Sequence, residues 1–228
     1  MESSEIKHIL LSIGAELCGI ASINSFNDAP YGFHPKDVFP ECKSVITFAI
    51  RFPVVCGTLT NVETYTQARD SVTDECDRIS LDLCCILEKR GIKCVPISTC
   101  DAIYDECSGR WRSKVSIKHA AVLGGIGTIG KHSLVISSEF GCMMWLGCVL
   151  CDTELDTDPI KPSICENCNK CVEACPVGAL ESELMEQTKC EAFAYKEEGI
   201  VCHRCRDACP YNFGILNNSD REIAYQVH

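Results

Sequence analysis

Nowhere in this 228-residue chain do 18 uninterrupted apolar residues occur, so no membrane-spanning helix is expected. A basic-plus-apolar leader is missing too: the opening Met1-Glu-Ser-Ser-Glu is acidic and polar, so no secretory signal is expected. Positive charge is scarce, with 21 Lys and Arg against 32 Asp and Glu and a net charge of −11. Proteins that grip nucleic acid by its phosphates carry the opposite balance, so no nucleic-acid partner is expected. Repeats and low-complexity tracts are lacking, apart from one cysteine motif that occurs twice. Apolar residues make up 46% and charged residues 23%, ordinary globular proportions for one mid-sized domain with a smaller one attached.

Cysteine is what the chain has in excess, 20 in all. In a secreted chain that count indicates disulfides; without a leader it indicates thiols held in a reducing compartment, hence a cytoplasmic protein from an anaerobe. Spacing sorts them. C-E-N-C-N-K-C-V-E-A-C-P at 165–176 sets Cys165, Cys168, Cys171 and Cys175 at the interval of bacterial ferredoxins, with Pro176 following. C-H-R-C-R-D-A-C-P at 202–210 repeats the logic with Cys202, Cys205 and Cys209, one thiol short, and Cys190 stands between the two to supply it. In this pattern the cysteine before the proline ligates the other cluster. The expected ligands are therefore Cys165, Cys168, Cys171 and Cys209 for one 4Fe–4S cluster, and Cys175, Cys190, Cys202 and Cys205 for a second.

Soft thiolates suit iron, and two-residue gaps let one tight turn aim successive sulfurs at one cubane. Four-cysteine zinc sites also use C-x-x-C pairs, but a third close cysteine and a following C-P, twice over, argue against zinc. Of the other thiols, Cys18, Cys42, Cys56, Cys76, Cys84, Cys85 and Cys94 lie among apolar neighbours and suit small core positions. Cys142, Cys148 and Cys151 are read as core as well, with a redox pair or an extra metal site as the alternatives.

Along the chain, Ile6, Ile9, Leu10, Ile13 and Leu17 predict an amphipathic helix over 4–17, capped by Ser3 or Ser4. Strands are predicted at 18–23, 44–50 and 92–98, and a long helix at 66–90 that Gly91 stops. Segments 24–40, 57–64 and 101–109 have loop composition. A helix at 119–123 leads into a glycine turn, and 134–137 with 143–150 suggest a strand pair. The acidic, proline-punctuated stretch 152–162 suggests a linker, dividing the chain into domains 1–160 and 161–228. Alternating strands and helices in the first part indicate an α/β or α+β layered fold.

Gly125, Gly127 and Gly130 match a dinucleotide-loop spacing, and with Lys131 they nearly match a P-loop. The P-loop needs Ser or Thr after its lysine, and His132 stands there. A dinucleotide loop needs a preceding strand, and the approach here looks helical. A tight turn is the plainer reading. Yet residues 108–138 contain no Asp or Glu, while Arg110, Arg112, Lys114, Lys118, His119, Lys131 and His132 all fall there. This is either a solvated basic face or a floor that recognises anionic or carboxamide groups of a cofactor, helped by glycine N–H groups.

K-H-A-A-V-L-G-G-I-G-T-I-G-K-H-S-L-V-I at 118–136, W-L-G-C-V-L-C-D-T-E-L at 145–155 and the cysteine module resemble epoxyqueuosine reductase and, more distantly, the C-terminal half of reductive dehalogenases. A-E-L-C-G-I-A at 15–21 and F-P-E-C-K-S-V-I at 39–46 look like the same family's opening. The resemblance implies an α+β fold, with a nitroreductase-like, cobalamin-binding domain followed by a ferredoxin-like module holding two 4Fe–4S clusters. One cluster would pass single electrons to the corrin. Lys118, His119, Gly125, Gly127, Gly130, Lys131, His132 and Ser133 are the cofactor-binding residues so implied.

Departures from the family accompany the likeness. Its catalytic aspartate lies ahead of the glycine loop, where this chain has no carboxylate; His119, Lys118 and Tyr104 are the substitute proton donors. His8, His34, His119 and His132 are the upstream histidines that could ligate cobalt. The chain ends soon after Cys209, without the family's helical repeats for tRNA, so action on tRNA is not expected. The expectation is an oxidoreductase, cobalamin-dependent, acting on a small molecule or corrinoid and supplied by a ferredoxin or flavodoxin. A non-catalytic two-cluster carrier and an FMN-dependent reductase are the alternatives.

Overall fold

The computed structural model describes residues 1–58, 62–196 and 202–215. It opens with α1 (Ser3–Ser12), which buries Ile6, Ile9 and Leu10 on one face. Neither serine caps it: the N-cap is Glu2 without a side-chain bond, and Ser3 lies buried in the first turn. The helix also stops earlier than its apolar periodicity predicts, because Leu17 is already the first residue of β1 (Leu17–Ser22). The segment expected to be all loop holds a 3-10 turn (Ile23–Phe26) and a short α2 (Pro35–Val38), whose first turn His34 caps through Nδ1. There follow β2 (Ser44–Arg51), α3 (Val54–Thr58), the long α4 (Val62–Glu88) and β3 (Cys94–Ile97). A hairpin of β4 (Ile103–Asp105) and β5 (Arg110–Arg112) replaces most of the expected 101–109 loop. The rest is α5 (Ile117–Leu123), β6 (Thr128–Ile129), β7 (Val135–Ile136), β8 (Met144–Cys151), α6 (Lys170–Glu173), α7 (Gln187–Lys196) and α8 (Arg204–Asp207).

Two compact units emerge, and they are not contiguous in sequence. The first comprises Met1–Ile50, Val72–Ile126 and Trp145–Lys161; the second comprises Arg51–Ser71, Gly127–Met144 and the chain from Pro162 on. One of the cuts between the units falls between Lys161 and Pro162.

In the first unit, the sheet has the order β1-β2-β8-β3. β1 runs antiparallel to β2, Leu17 opposite Ala49 and Ser22 opposite Ser44, and β3 runs antiparallel to β8. Alternate side chains sort to two cores, as a period of two requires. Ile46, Phe48 and Val149 pack with Ile6 and Leu10 of α1 and Ile79, Leu83 and Leu87 of α4. Val45, Cys148 and Leu150 pack instead with Val115, Ile117 and Ala120 around α5. β2 is buried at every position but its last, which is why it shows as an unbroken apolar run.

The acidic stretch 152–162 is no free linker. Asp158 accepts Lys7 Nζ at 2.6 Å and the Ile20 N–H at 2.9 Å, while its own N–H donates to the Ile20 carbonyl at 2.9 Å. Leu155 N–H donates to Ser44 Oγ at 3.0 Å.

In the second unit, β7 pairs with β6, not with β8, and Ser137 and Gly141 share a single antiparallel bridge. The expected strand pair fails because β8 belongs to the four-stranded sheet. Segments remote in sequence are stitched together here. Tyr65 stacks on His203 at 4.0 Å, Met143 N–H donates to the Asn212 carbonyl at 3.0 Å, and Ile215 N–H donates to the Ser138 carbonyl at 2.8 Å. Among the described residues, no helix is long and apolar enough to cross a membrane.

Candidate metal centre

The two half-motifs fold alike. α6 contains Cys171 and is followed by Cys175, whose N–H reaches the Val172 carbonyl at 3.2 Å. α8 contains Cys205 and is followed by Cys209, whose N–H reaches the Arg206 carbonyl at 3.2 Å. Each half is a short loop, one helical turn and a cysteine just before proline, and the two short helices lie against each other. Asn167, between Cys165 and Cys168, takes the left-handed conformation (φ +48°) that lets the chain turn sharply within two residues.

Cys175, Cys190, Cys202 and Cys205 line one pocket, closed partly by Met185 and Phe193, with about 390 Å³ of atom-free space. Cys190 reaches it from α7. The other expected set, Cys165, Cys168, Cys171 and Cys209, also gathers. Cys171 is buried, which raises its pKa, and Cys165, Cys209 and Cys168 are the neighbours whose charge would affect it. Burial likewise raises Cys190, with Cys202 and Cys175 adding to the effect. Cys205 is pushed up to about 12 by burial, opposed by the Arg206 cation and reinforced by Cys202, Cys190 and Cys171.

Burial is the main cause of these shifts, and crowded thiols further disfavour one another's thiolate form. Bound metal reverses the sign and deprotonates the thiols outright. The all-sulfur donor set fits an iron–sulfur cluster. Arg206, itself buried, is the cation beside Cys205 and Cys142.

A third grouping was not foreseen. A ring nitrogen of His132 and the sulfurs of Cys142 and Cys209 lie within 4.8 Å of one another, all three residues buried. Cys142 hydrogen-bonds with Cys209, which lowers the Cys209 pKa and raises that of Cys142. Only the G-K-H sequence singled out His132, and nothing in it pointed to Cys209.

The glycine loop is divided between the units at Ile126 and Gly127. Its amides are spent inside the protein. Gly125 N–H donates to Val122 O at 3.0 Å, Gly130 N–H to Leu134 O at 2.9 Å and Ser133 N–H to Gly130 O at 2.9 Å. A Cβ at Gly127 would lie 2.3 Å from the Ile136 carbonyl oxygen, so this glycine serves chain packing. An anion cradle made of the amides at 125, 130 and 133 therefore does not fit, and the tight-turn reading accounts for these glycines. Lys131 Nζ donates to Asn169 Oδ1 at 2.6 Å, inside the cysteine module. Lys118 and His119 are surface residues of α5; Ser116 Oγ lies 2.7 Å from His119 Nδ1, and partial burial of the ring and the Lys118 ammonium lower the His119 pKa.

Among the substitute proton donors, Tyr104 is half exposed on the β4–β5 hairpin, edge-on to Trp111. Its neighbour Asp105 lies 3.3 Å from Arg112 Nε. The Ser108 hydroxyl bond holds its pKa below the usual carboxylate range, so Asp105 stays ionised and does not replace the missing general acid.

The remaining thiols divide by burial. Cys42 is pushed up to about 11, and Cys76 and Cys151 to about 12, all chiefly by burial, while Cys148 is fully buried and raised further. At pH 8, at most about one molecule in a thousand carries the thiolate at such a site. Anaerobic iodoacetamide treatment should therefore label the exposed Cys85, Cys100 and Cys107 and spare Cys42, Cys76, Cys148 and Cys151. Peptide mass spectrometry reads this directly; early labelling of Cys148 or Cys151 would mean a reactive pair.

The comparisons with known proteins agree with these observations. A model described as a 4Fe-4S binding domain matches residues 159–181. The epoxyqueuosine reductase of Prochlorococcus marinus (strain NATL2A) is 40% identical over 105 residues, 39% of this chain and 34% of that protein. A crystal structure of epoxyqueuosine reductase with an epoxyqueuosine-modified tRNA-Tyr stem loop matches 92% of this chain and 64% of its own, at 19% identity and a TM-score of 0.65. A reductive dehalogenase, whose structure suggests a mechanism for B12-dependent dehalogenation, matches 96% of this chain and 33% of its own, at 16% identity and a TM-score of 0.73. The mixed α/β fold is thus shared with both groups, and the sequence resemblance holds. The match to the curated relative spans about a third of that relative's length.

One expectation is corrected by these findings. Net charge excluded nucleic acid as a partner, yet a protein of the same fold is solved with a tRNA stem loop bound. A summed charge says little about a local face, and the acid-free stretch 108–138 shows how unevenly charge is spread here.

Proposed function

We propose that this chain is an iron–sulfur redox protein holding two 4Fe–4S clusters in a ferredoxin-like arrangement. Cys165, Cys168, Cys171 and Cys209 would ligate one, and Cys175, Cys190, Cys202 and Cys205 the other. The observation that carries this reading is the convergence of the second set, drawn from three separate stretches of chain, on one pocket. Bound clusters supply one-electron transfer at low potential. The chain's own residues set the conditions: Met185 and Phe193 keep the pocket apolar, and the buried Arg206 offsets negative charge between the half-motifs. Burial and charge of this kind are what tune such centres.

The names of the relatives suggest the electron acceptor, a B12-type corrinoid seated on the first unit, which would have the nitroreductase-like topology. Lys118 and His119 are exposed residues of the expected set, whereas the amides at 125, 130 and 133 are committed elsewhere. No chemical step is assigned through the corrinoid. In this reading the protein is a reductase, and its substrate is open to either a small molecule or a modified nucleoside.

Anaerobic reconstitution with iron, sulfide and hydroxocobalamin, followed by metal analysis and a visible spectrum, tests both parts. About eight irons and one cobalt per chain is the expected result. Full iron without cobalt or flavin would favour a two-cluster electron carrier, full iron with FMN a flavin reductase. Zinc in place of iron would overturn the cluster assignment.

A further inference from the structure

His132 is oriented by its own chain. Leu134 N–H donates to His132 Nδ1 at 3.2 Å, and a ring nitrogen that accepts carries no proton. The neutral imidazole therefore holds its proton on Nε2. That atom is buried, the residue being only 3% exposed, and the His132 side chain hydrogen-bonds with Cys209. The acceptor it faces is sulfur: His132, Cys142 and Cys209 bring their ligating atoms within 4.8 Å of one another. Cys142 has a second acceptor for its own proton, the Arg206 carbonyl at 3.9 Å, so it does not need Cys209.

We propose that His132 Nε2–H donates to the Cys209 thiolate when that sulfur ligates iron, and holds the potential of that one cluster above the value it would have without the donor. This rests on the cluster reading above. Reduction adds one electron whose charge spreads over the cluster's sulfurs, and a donor on one of them stabilises the reduced form more than the oxidised form. His132 is thus a positioning and tuning residue, acting through Cys209. It distinguishes the two clusters, because among the described residues no histidine lines the pocket of Cys175, Cys190, Cys202 and Cys205.

The experiment is an EPR-monitored redox titration of the reconstituted chain, with His132→Leu and His132→Gln as variants. Leucine removes the donor, and glutamine places an amide N–H2 near the position of Nε2. His132→Leu should shift the reduction equilibrium of one cluster about tenfold toward the oxidised form, a drop of about 59 mV for a one-electron couple. His132→Gln should restore most of it, and the other cluster should not move. Two full clusters with unchanged potentials in His132→Leu would overturn the proposal while leaving the cluster reading intact. Iron below one cluster per wild-type chain would overturn that reading instead.

If His132→Leu fails to assemble, wild-type protein labelled with 15N-histidine decides. A weak nitrogen coupling to one reduced cluster, absent in His132→Gln, is expected in pulsed EPR, and its absence from wild type overturns the proposal. One zinc per chain, with the Cys209 cluster missing, would assign the trio to a separate metal site and overturn it equally.

Discussion

Cys190→Ala should halve the iron content, from about eight to about four atoms per chain, and abolish one reduced-cluster EPR signal while leaving the other unchanged. Cys190 is the severe test of the ligand sets because it belongs to neither cysteine triplet. It sits on α7, and its sulfur lines the pocket with Cys175, Cys202 and Cys205. Losing one of four thiolates leaves an iron without a protein ligand, and among the described residues no spare cysteine lines that pocket to replace it. Cys148→Ala is the matching control, since Cys148 lies in the core of the first unit. It should keep all the iron. An unchanged iron count in Cys190→Ala, or loss of both signals together, would mean that the two sets are drawn wrongly.

Gly141→Val should prevent recovery of folded, cluster-loaded protein. Gly141 has φ +59°, and a Cβ there would lie 1.8 Å from the Tyr211 carbonyl oxygen and 2.4 Å from that of Asn212. The left-handed backbone alone costs a side chain about 1–2 kcal/mol. The clash is with main chain rather than with a side chain that can swing away, so the two strands of chain must part. They hold the Met143–Asn212 hydrogen bond and the Cys142–Cys209 contact beside it. The combined cost reaches several kcal/mol, a large share of the roughly 5–15 kcal/mol that keeps a domain folded. Gly32→Ala isolates the backbone term, because Gly32 has φ +80° and nothing within 4 Å of its would-be Cβ. It should lower the melting temperature only slightly. Soluble yield and the visible cluster absorbance measure both variants, and wild-type absorbance in Gly141→Val would show that the contact is dispensable.

What the sequence made legible was short-range. The intervals from Cys165 to Cys175 and from Cys202 to Cys209 specify a loop and one helical turn each, and both fold so. β2 was legible because a fully buried strand leaves an unbroken apolar run, and α4 because its stripe recurs at helical spacing. Ser3 failed as a cap because burying α1 draws its first turn into the core, where a hydroxyl cannot serve as the terminus. β6 and β7 are two residues each, too short for a period-two pattern, so β8 was the only partner visible for 134–137. The glycine loop advertised a ligand site, but the same residues satisfy close chain packing, and composition cannot separate the two. Nothing local could connect His132 with Cys209, since that contact exists only once chain ends far apart in sequence meet.

The cluster-bearing unit is assembled from three pieces of chain, and the ribosome releases them in order. Segments 51–71 and 127–144 are synthesised first, and their contacts with His203, Asn212 and Ile215 close only once the last stretch has emerged. The first four cluster thiols meanwhile emerge as a naked, oxidisable row. In the proposed cluster reading, both ligand sets are complete only once Cys209, the last thiol of the chain, has been synthesised. For the same reason the cysteine segment is not a portable ferredoxin cassette: cut at residue 161, it leaves two of its own three pieces behind.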